Sequence, residues 1–318
     1  MFSPARSGAW RPFVCVAALL LGDAGCRETP PRASSETTAA RPAATAATDD
    51  FGAPVPTGRR PSRIVSLNPT TTELLFALGA GDRLVGRTHW DQYPAAARAV
   101  PDLGPGIRPN VEAVLGAHPD LVLLYASGDN RAAAASLRAA GIPVVALKVD
   151  RIADFLRCVR LVGDAIGERA RADTVADSVA RSLDAVRAAT ASVKRPRVLW
   201  PLFAEPLYVI GGGSFMSELV QAAGGTNVFG DLPQPSPQVG REEVLRRDAD
   251  VVIAAPSSVK RILADPSWGA LTAVRTRRVY ADDTTLVERP SVRLGEAARS
   301  LALLLHPELR ERLVATPR

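Results

Sequence analysis

The sequence predicts an α/β protein of two lobes, each built on a parallel sheet, joined by a long helix. Three observations carry that prediction. Short runs of branched apolar residues alternate with helical stretches before residue 150 and again after residue 195. Between them, residues 152–191 show helical periodicity and little else. Finally, one unit occurs twice: "VEAVLGAHPDLVLL" from Val111 aligns with "REEVLRRDADVVIA" from Arg241, so that Glu112 matches Glu242, Val114-Leu115 matches Val244-Leu245 and Asp120 matches Asp250.

Residues 1–26 are expected to be an export signal. Arg6 and Arg11 precede an apolar run, Phe13 to Leu21, too short to span a bilayer comfortably but right for a signal core. The run ends in "GDAGC", and small residues directly before Cys26 predict a lipoprotein-type signal with Cys26 as the lipidated residue; Asp23 stands where an apolar residue is usual. Residues 27–61, rich in Pro, Ala and Thr, hold almost no large apolar side chains and are expected to form a disordered tether.

The N-terminal α/β lobe is placed at residues 62–150. "RIVSL" reads as its first strand, and Thr70 with Glu73 as a capping box for the helix that Gly79 ends. "RLVG" is the next strand. Asn110 caps a short helix through Gly116, "DLVLLY" is a buried strand, "NRAAAASLRAAG" a helix and "IPVVAL" a strand. Residues 151–194 form the helical linker, with breaks expected at Gly163 and Gly167. The stretch from Glu168 to Ala191 alone would run roughly 36 Å. In the C-terminal lobe, residues 195–318, "PRVLWPLF" and "PLYVIG" read as extended, and Ser214 caps a helix closed by Gly224-Gly225. "REEVLRRD" is a short helix, "DVVIAA" and "RRVYA" are strands, and the last helix has Pro290 near its start.

Composition narrows the function. The chain has 318 residues, 47% hydrophobic and 23% charged, as in a globular protein. Its net charge of +6 comes from scattered Arg with no basic stripe, which argues against nucleic-acid binding. Cys158 is the one cysteine beyond Cys26, so the body has no internal disulfide. The three His, at 89, 118 and 306, are scattered and make no metal site, and no nucleophile elbow or other catalytic constellation is present. "GGGSF" lacks the lysine and spacing of a phosphate loop and reads as a turn with a helix cap. The chain is therefore not expected to be an enzyme, nor to carry a metal or cofactor of its own.

Aromatic residues gather where strands end, the side on which open α/β sheets bind ligands. Trp90, Tyr93, Tyr125, Trp200, Phe203 and Tyr208 are the expected wall of an inter-lobe site, with Phe215 beside the glycine turn. Glu112 and Glu242 each fall in the first turn of a helix, where the dipole alone favours a carboxylate. Their equivalent placement in two lobes also suits docking onto a symmetric basic partner.

The segments "RIVSLNPTTTELLFALGAGDRLVGRTHWDQYP", "NVEAVLGAHPDLVL", "GGTNVF", "PQVGREEVL" and "RPSVRL...LHPEL" resemble the periplasmic binding proteins of iron-siderophore, heme and cobalamin importers, the cobalamin branch most. The resemblance covers residues 62 to about 310. It implies two Rossmann-like lobes on a backbone helix with little hinge movement, a corrinoid as transported ligand, and delivery to an ABC permease dimer with its ATPase. It implies that Glu112 and Glu242 are the permease-docking residues, with Glu243 as an alternative if the register slips. Trp90, Tyr125 and Tyr208 match aromatic ligand positions by character but not identity. Arg289 matches a ligand-site arginine, with Asp283 as its weak acidic companion. Ser236 stands where a tryptophan is expected. A ferric siderophore, or heme ligated from His89 or Tyr93, is the alternative cargo, and an exported ligand sensor the alternative role. A monomer anchored to a membrane through Cys26 completes the expectation.

Overall fold

A computed structural model describes residues 47–314, apart from the side chains of Phe203, Ala204 and Val314. The export signal, Cys26 and most of the tether lie outside the described residues.

Two four-stranded parallel sheets organise the molecule. The N-terminal lobe runs β1 (Ile64–Leu67), α1 (Pro69–Ala77), β2 (Leu84–Gly86), α2 (Val111–Gly116), β3 (Leu121–Tyr125), α3 (Arg131–Ala139) and β4 (Val144–Leu147). Its strand order is β2-β1-β3-β4. Every residue of β1 and β4 is buried, which is why these strands read as unbroken apolar runs rather than alternating ones. Two helices follow, α4 (Ile152–Ile166) and α5 (Arg169–Ala189). The C-terminal lobe runs β5 (Arg197–Leu199), the antiparallel hairpin β6 (Pro201–Ala204) and β7 (Leu207–Val209), α6 (Phe215–Ala222), β8 (Thr226–Asn227), α7 (Arg241–Arg247), β9 (Val251–Ala254), α8 (Pro256–Ala264), α9 (Thr272–Arg275), β10 (Val279–Ala281), α10 (Thr284–Val287), α11 (Leu294–Leu305) and α12 (Arg310–Val314). Its second sheet has the order β8-β5-β9-β10, so the two lobes repeat one topology.

Local signals behave as their chemistry requires at most helix ends. Asn110 accepts from the Ala113 N–H and Ser214 from the Met216 N–H. Gly79, Gly141, Gly167 and Gly224 take φ of 70° to 81° just past helix ends. Gly167, not Gly163, divides the linker. Gly163 lies inside α4, where a Cβ would come 2.3 Å from that of Ala172, so its role is close packing of α4 on α5.

Four expectations are corrected. The tether does not run to residue 61: Val55 is buried in the core, and buried Asp49 accepts from the Ala146 N–H and pairs with Arg138 at 2.6 Å. Thr70 and Glu73 do not form a capping box: Asn68 caps α1 by accepting from the Thr70 N–H, and Glu73 turns inward to an ion pair with Arg293 at 3.2 Å. The last long helix starts at Leu294, beyond Pro290. The expected strand "PRVLWPLF" is divided at Trp200 into β5 and β6, and β6 pairs with β7, the extended piece "PLYVIG", as a hairpin.

The lobes are tied by more than α4 and α5. Arg293 of the C-terminal lobe meets buried Glu73 and stacks on Tyr93, 3.8 Å from the ring centre. Arg289 Nη1 donates to the Trp90 carbonyl at 2.9 Å. Elsewhere Glu218 on α6 accepts from Arg151 and from the Ile152 N–H, and the Phe215 N–H donates to the Asp150 carbonyl at 2.6 Å. Burial raises the Glu73 carboxyl, and Arg293 offsets only part of that rise.

Candidate functional site

Each strand of a parallel sheet releases the chain at its carboxyl end, and here those ends bound a cleft of about 790 Å³ between the lobes. From the N-terminal lobe come Leu67 at the end of β1, Trp90 after β2, Ile107, and Tyr125 at the end of β3. Across from them stand Leu202 in the hairpin, Phe215 and Met216 opening α6, the first turn of α8, and Glu288 with Arg289 after α10.

The Trp90 loop is fixed from below. Asp91, fully buried, accepts from Thr72 Oγ1 and Thr88 Oγ1 at 2.5 Å each. Burial raises the Asp91 carboxyl, and those hydroxyls offset part of the rise. The indole itself is 58% exposed and leans on His89 at a ring distance of 4.6 Å. A large exposed apolar face at a cleft mouth is what a flat ligand would cover.

Ile107, 45% exposed, is presented by a loop held through Asn130. Asn130 Nδ2 donates to the Gly106 and Tyr125 carbonyls, and its Oδ1 accepts from the Arg108 N–H. Gly106 sits against β1, where a Cβ would lie 2.2 Å from the Leu67 carbonyl oxygen. Tyr125 donates to Asp150 at 2.8 Å, and Asp150 also pairs with Lys148 at 2.9 Å. Burial and that bond to Asp150 push the Tyr125 hydroxyl well above its ordinary range.

On the opposite wall the glycine turn acts by close approach. The Gly212 N–H donates to the Leu232 carbonyl, and a Cβ at Gly211, Gly212 or Gly213 would meet carbonyl oxygens of residues 230–234 at 2.1–2.2 Å. This clamps the loop that brings Pro235 and Ser236 to the cleft. The turn is thus a packing device and helix start, as its sequence suggests. Burial, with a contribution from Asp282, pushes the Glu288 carboxyl up to about 7, against the pull of Arg289. Asp282 lies just below, its two oxygens buried without hydrogen bonds. Burial pushes it up to about 6, the Trp200 indole N–H beside it offsetting part.

Of the expected ligand residues, Trp90, Tyr125 and Arg289 line the cleft. Trp200 does not: it is wholly buried in the core beneath the site, because at a strand end one residue decides whether a side chain faces the sheet's packing side or its rim. Tyr93 is off the wall too, engaged by Arg293. Tyr208 lies in β7, bridged to Gln238, and is not among the lining residues. Phe203 lies in β6, and its neighbour Leu202 reaches the cleft. Asp283 caps α10 by accepting from Thr285. Sequence reasoning missed Ile107, Met216, Arg261 and Glu288; Ile107 directly follows the Gly104–Gly106 turn and Met216 stands three residues past the glycine turn, whereas Arg261 and Glu288 lie in or after helices with no such marker.

Glu112 and Glu242 occupy equivalent first-turn positions on α2 and α7. Both are exposed, and neither forms an ion pair among the described residues. Glu243 is engaged, bonded to Arg246 and Arg247, which hold its carboxyl below the usual range. Among the described residues no group of three or more His, Cys, Asp or Glu could hold a metal ion, and no helix is long and apolar enough to cross a membrane. Cys158 is buried, and that burial pushes its thiol up to about 12, which makes it a poor nucleophile.

Comparison with known proteins agrees with this architecture. The family model described as "Periplasmic binding protein" matches residues 64–286. The chain is 28% identical over 312 residues to an uncharacterized ABC transporter substrate-binding lipoprotein of Bacillus subtilis, covering 95% of this chain and 98% of that protein. It is 30% identical over 242 residues to the vitamin B12-binding protein of Salmonella typhimurium, covering 75% and 88%. Among solved structures, the apo periplasmic heme-binding protein of Roseiflexus sp. superposes with a TM-score of 0.72 at 26% identity, covering 78% of this chain and 99% of that one. The periplasmic vitamin B12-binding protein of Vibrio cholerae gives 0.69 at 25%, covering 79% and 98%. The duplicated sheet topology, the inter-lobe cleft and these matches lead to one conclusion: the chain belongs to the periplasmic binding protein family, as a substrate-binding protein.

Proposed function

We propose that this protein captures a cobalamin-like corrinoid in its inter-lobe cleft and delivers it to an ABC permease with its ATPase. One observation carries the choice of cargo. The wall is apolar and aromatic, yet the places where an axial ligand for heme was expected are taken: Tyr93 packs under Arg293, and His89 does not line the cleft. Tyr125, which does line it, has its hydroxyl committed to Asp150. A corrinoid brings its own axial ligands and asks only for a flat apolar seat with polar rims. The vitamin B12-binding relatives support the same reading. Ferric siderophores and heme remain the competing cargoes, the latter being what the Roseiflexus protein binds.

Calorimetric titration of the protein with cyanocobalamin, hemin and a ferric hydroxamate tests this directly. One-to-one corrinoid binding with a Kd near or below about 1 μM is expected. Binding of hemin with none of cyanocobalamin would overturn it. Docking is assigned to Glu112 and Glu242, one per lobe. The double variant Glu112→Ala, Glu242→Ala should keep ligand affinity within about twofold and abolish uptake in cells; uptake at the parental rate would sink the docking assignment. Acylation at Cys26 would tether a monomer to the membrane, and Cys26→Ser should then release it to the soluble fraction.

A further inference from the structure

Two cavities of the C-terminal lobe meet at α8. The cleft is bounded there by Ala255, Ser257, Ser258 and Arg261. A second cavity, about 530 Å³, shares Ser258 and Arg261 with it and continues under the β6–β7 hairpin to Leu207, Ile262 and Trp268.

At the doorway between them the Ser258 and Val259 N–H groups donate to the Ala255 carbonyl, at 2.8 and 3.0 Å. Ala255 at the N-cap offers no side-chain acceptor, and Pro256 fills the first helical position. The positive end of the helix therefore meets the cavity without a protein carboxylate on it. Ser258 is only 7% exposed and lines both cavities, and its side chain makes no hydrogen bond among the described residues, so its hydroxyl is open to the passage. Arg261, one turn further on, has no carboxylate within ion-pair distance among the described residues. The other charges of the second cavity are matched with one another: Arg241 pairs with Asp265 at 3.2 Å and reaches Glu205 at 4.0 Å. The unmatched positive charge of this region thus stands at the passage and not inside the cavity, whose far wall is Trp268 and Ile262.

We propose that the first turn of α8, with Ser257, Ser258 and Arg261, is an anion subsite for an acidic group on an arm of the ligand, and that the second cavity receives the apolar or aromatic end of that arm. The proposal rests on the cleft being the ligand site. A corrinoid meets the requirement through the phosphodiester that precedes its aromatic base. A carboxylate arm would meet it through the same chemistry.

The first experiment does not depend on the natural ligand. Phenyl phosphate, an anion with an aromatic tail, is titrated into isotope-labelled protein while backbone amide resonances are followed. Saturable shifts are expected at Ser257, Ser258 and Arg261 and at the Trp268 indole, with affinity at least about tenfold weaker in Arg261→Gln. A second variant, Ala255→Asp, places a carboxylate at the N-cap; it should raise the melting temperature by capping α8 and abolish the shifts. No saturable shift in the parent, or equal affinity in Arg261→Gln, overturns the subsite whatever the cargo. Cyanocobalamin is then compared with dicyanocobinamide, which lacks the phosphodiester and base. Arg261→Gln should weaken the first about tenfold and leave the second unchanged; equal weakening of both overturns the assignment of the arm. Binding of neither corrinoid, with the phenyl phosphate shifts intact, counts against the corrinoid reading and not against the subsite. Hemin and its dimethyl ester then read the carboxylate form of the arm, with Arg261→Gln expected to weaken hemin alone; loss of both alike overturns the arm in that form as well.

Discussion

At the end of α2, His118 holds φ at 48°; at the matching place after α7, Asp248 holds φ at 50°. Two residues on, Asp120 and Asp250 each close the start of their lobe's first strand, accepting from the Arg63 and Arg197 N–H groups at 2.9 and 2.8 Å. The guanidinium groups of Arg63 and Arg197 reach back to carbonyls at the helix ends, those of Ala117 and His118 in one lobe and of Arg247 in the other. The far layer of the two lobes is thus one solution used twice. The cleft-facing layer is not. One lobe presents a short loop pinned by Asn130, and the other a hairpin, a glycine clamp and α8. Where the lobes agree, the chemistry serves the scaffold and the outward Glu112 and Glu242. The differences between them surround the ligand space.

The largest break in that comparison should come from the clamp that only the C-terminal lobe has. Gly213→Ala drives a Cβ to 2.2 Å from the Pro233 carbonyl oxygen and should cost about 3 kcal/mol in denaturant unfolding. Next come the paired aspartates. Asp120 accepts from Ser62 N, Ser62 Oγ and Arg63 N, whereas Asp250 accepts from Arg197 N. Asp120→Ala should cost about 2 kcal/mol and Asp250→Ala about 1. Burial alone would raise the Asp120 carboxyl, but its hydrogen bonds hold it below the ordinary value. Its share of stability is present above the ordinary carboxylate range and disappears as pH falls through the folded-state value.

The positive-φ pair sharpens the comparison by giving opposite signs. His118 shows no side-chain hydrogen bond among the described residues, so His118→Gly should stabilise by up to about 1 kcal/mol. Asp248, at φ 50° and ψ 164°, is held by bonds from Ala249 N, Thr272 N and Thr272 Oγ1. Asp248→Gly relieves backbone strain but loses those bonds, and should destabilise by about 1 kcal/mol.

The smallest effect is a pH dependence confined to the C-terminal wall. Glu288 is raised to about 7 in the folded protein, so its contribution is full below the ordinary carboxylate range and is lost as pH rises toward 7. Thermal melts should show Glu288→Gln flattening stability between pH 5 and 7 by no more than about 1 kcal/mol, the side chain being partly solvated.

Much of this architecture could be read from residue patterns because it is local. Apolar runs, Asn110 and Ser214 caps and glycines at helix ends each depend on a few neighbouring residues. The repeat exposed the two-lobe plan. What escaped was set by distance or by facing. Glu73 looked like half of a capping box because nothing nearby announces Arg293, 220 positions away. Trp200 and Trp90 both follow strands, yet one is wholly buried and the other 58% exposed. Short helices α9 and α10 leave no periodicity to detect, and α8 showed only its opening proline. For the site, strand ends located the wall, while its members were decided by loop clamps that bring Ile107 and Ser236 inward from segments with little pattern.

The ties across the lobes, Glu73 to Arg293, Trp90 to Arg289 and Glu218 to Arg151, have a kinetic consequence. Ties of this kind oppose a swinging closure on the cargo and favour capture governed by encounter and orientation over a gating step. A receptor tied in this way would also have little shape change with which to announce that it is full.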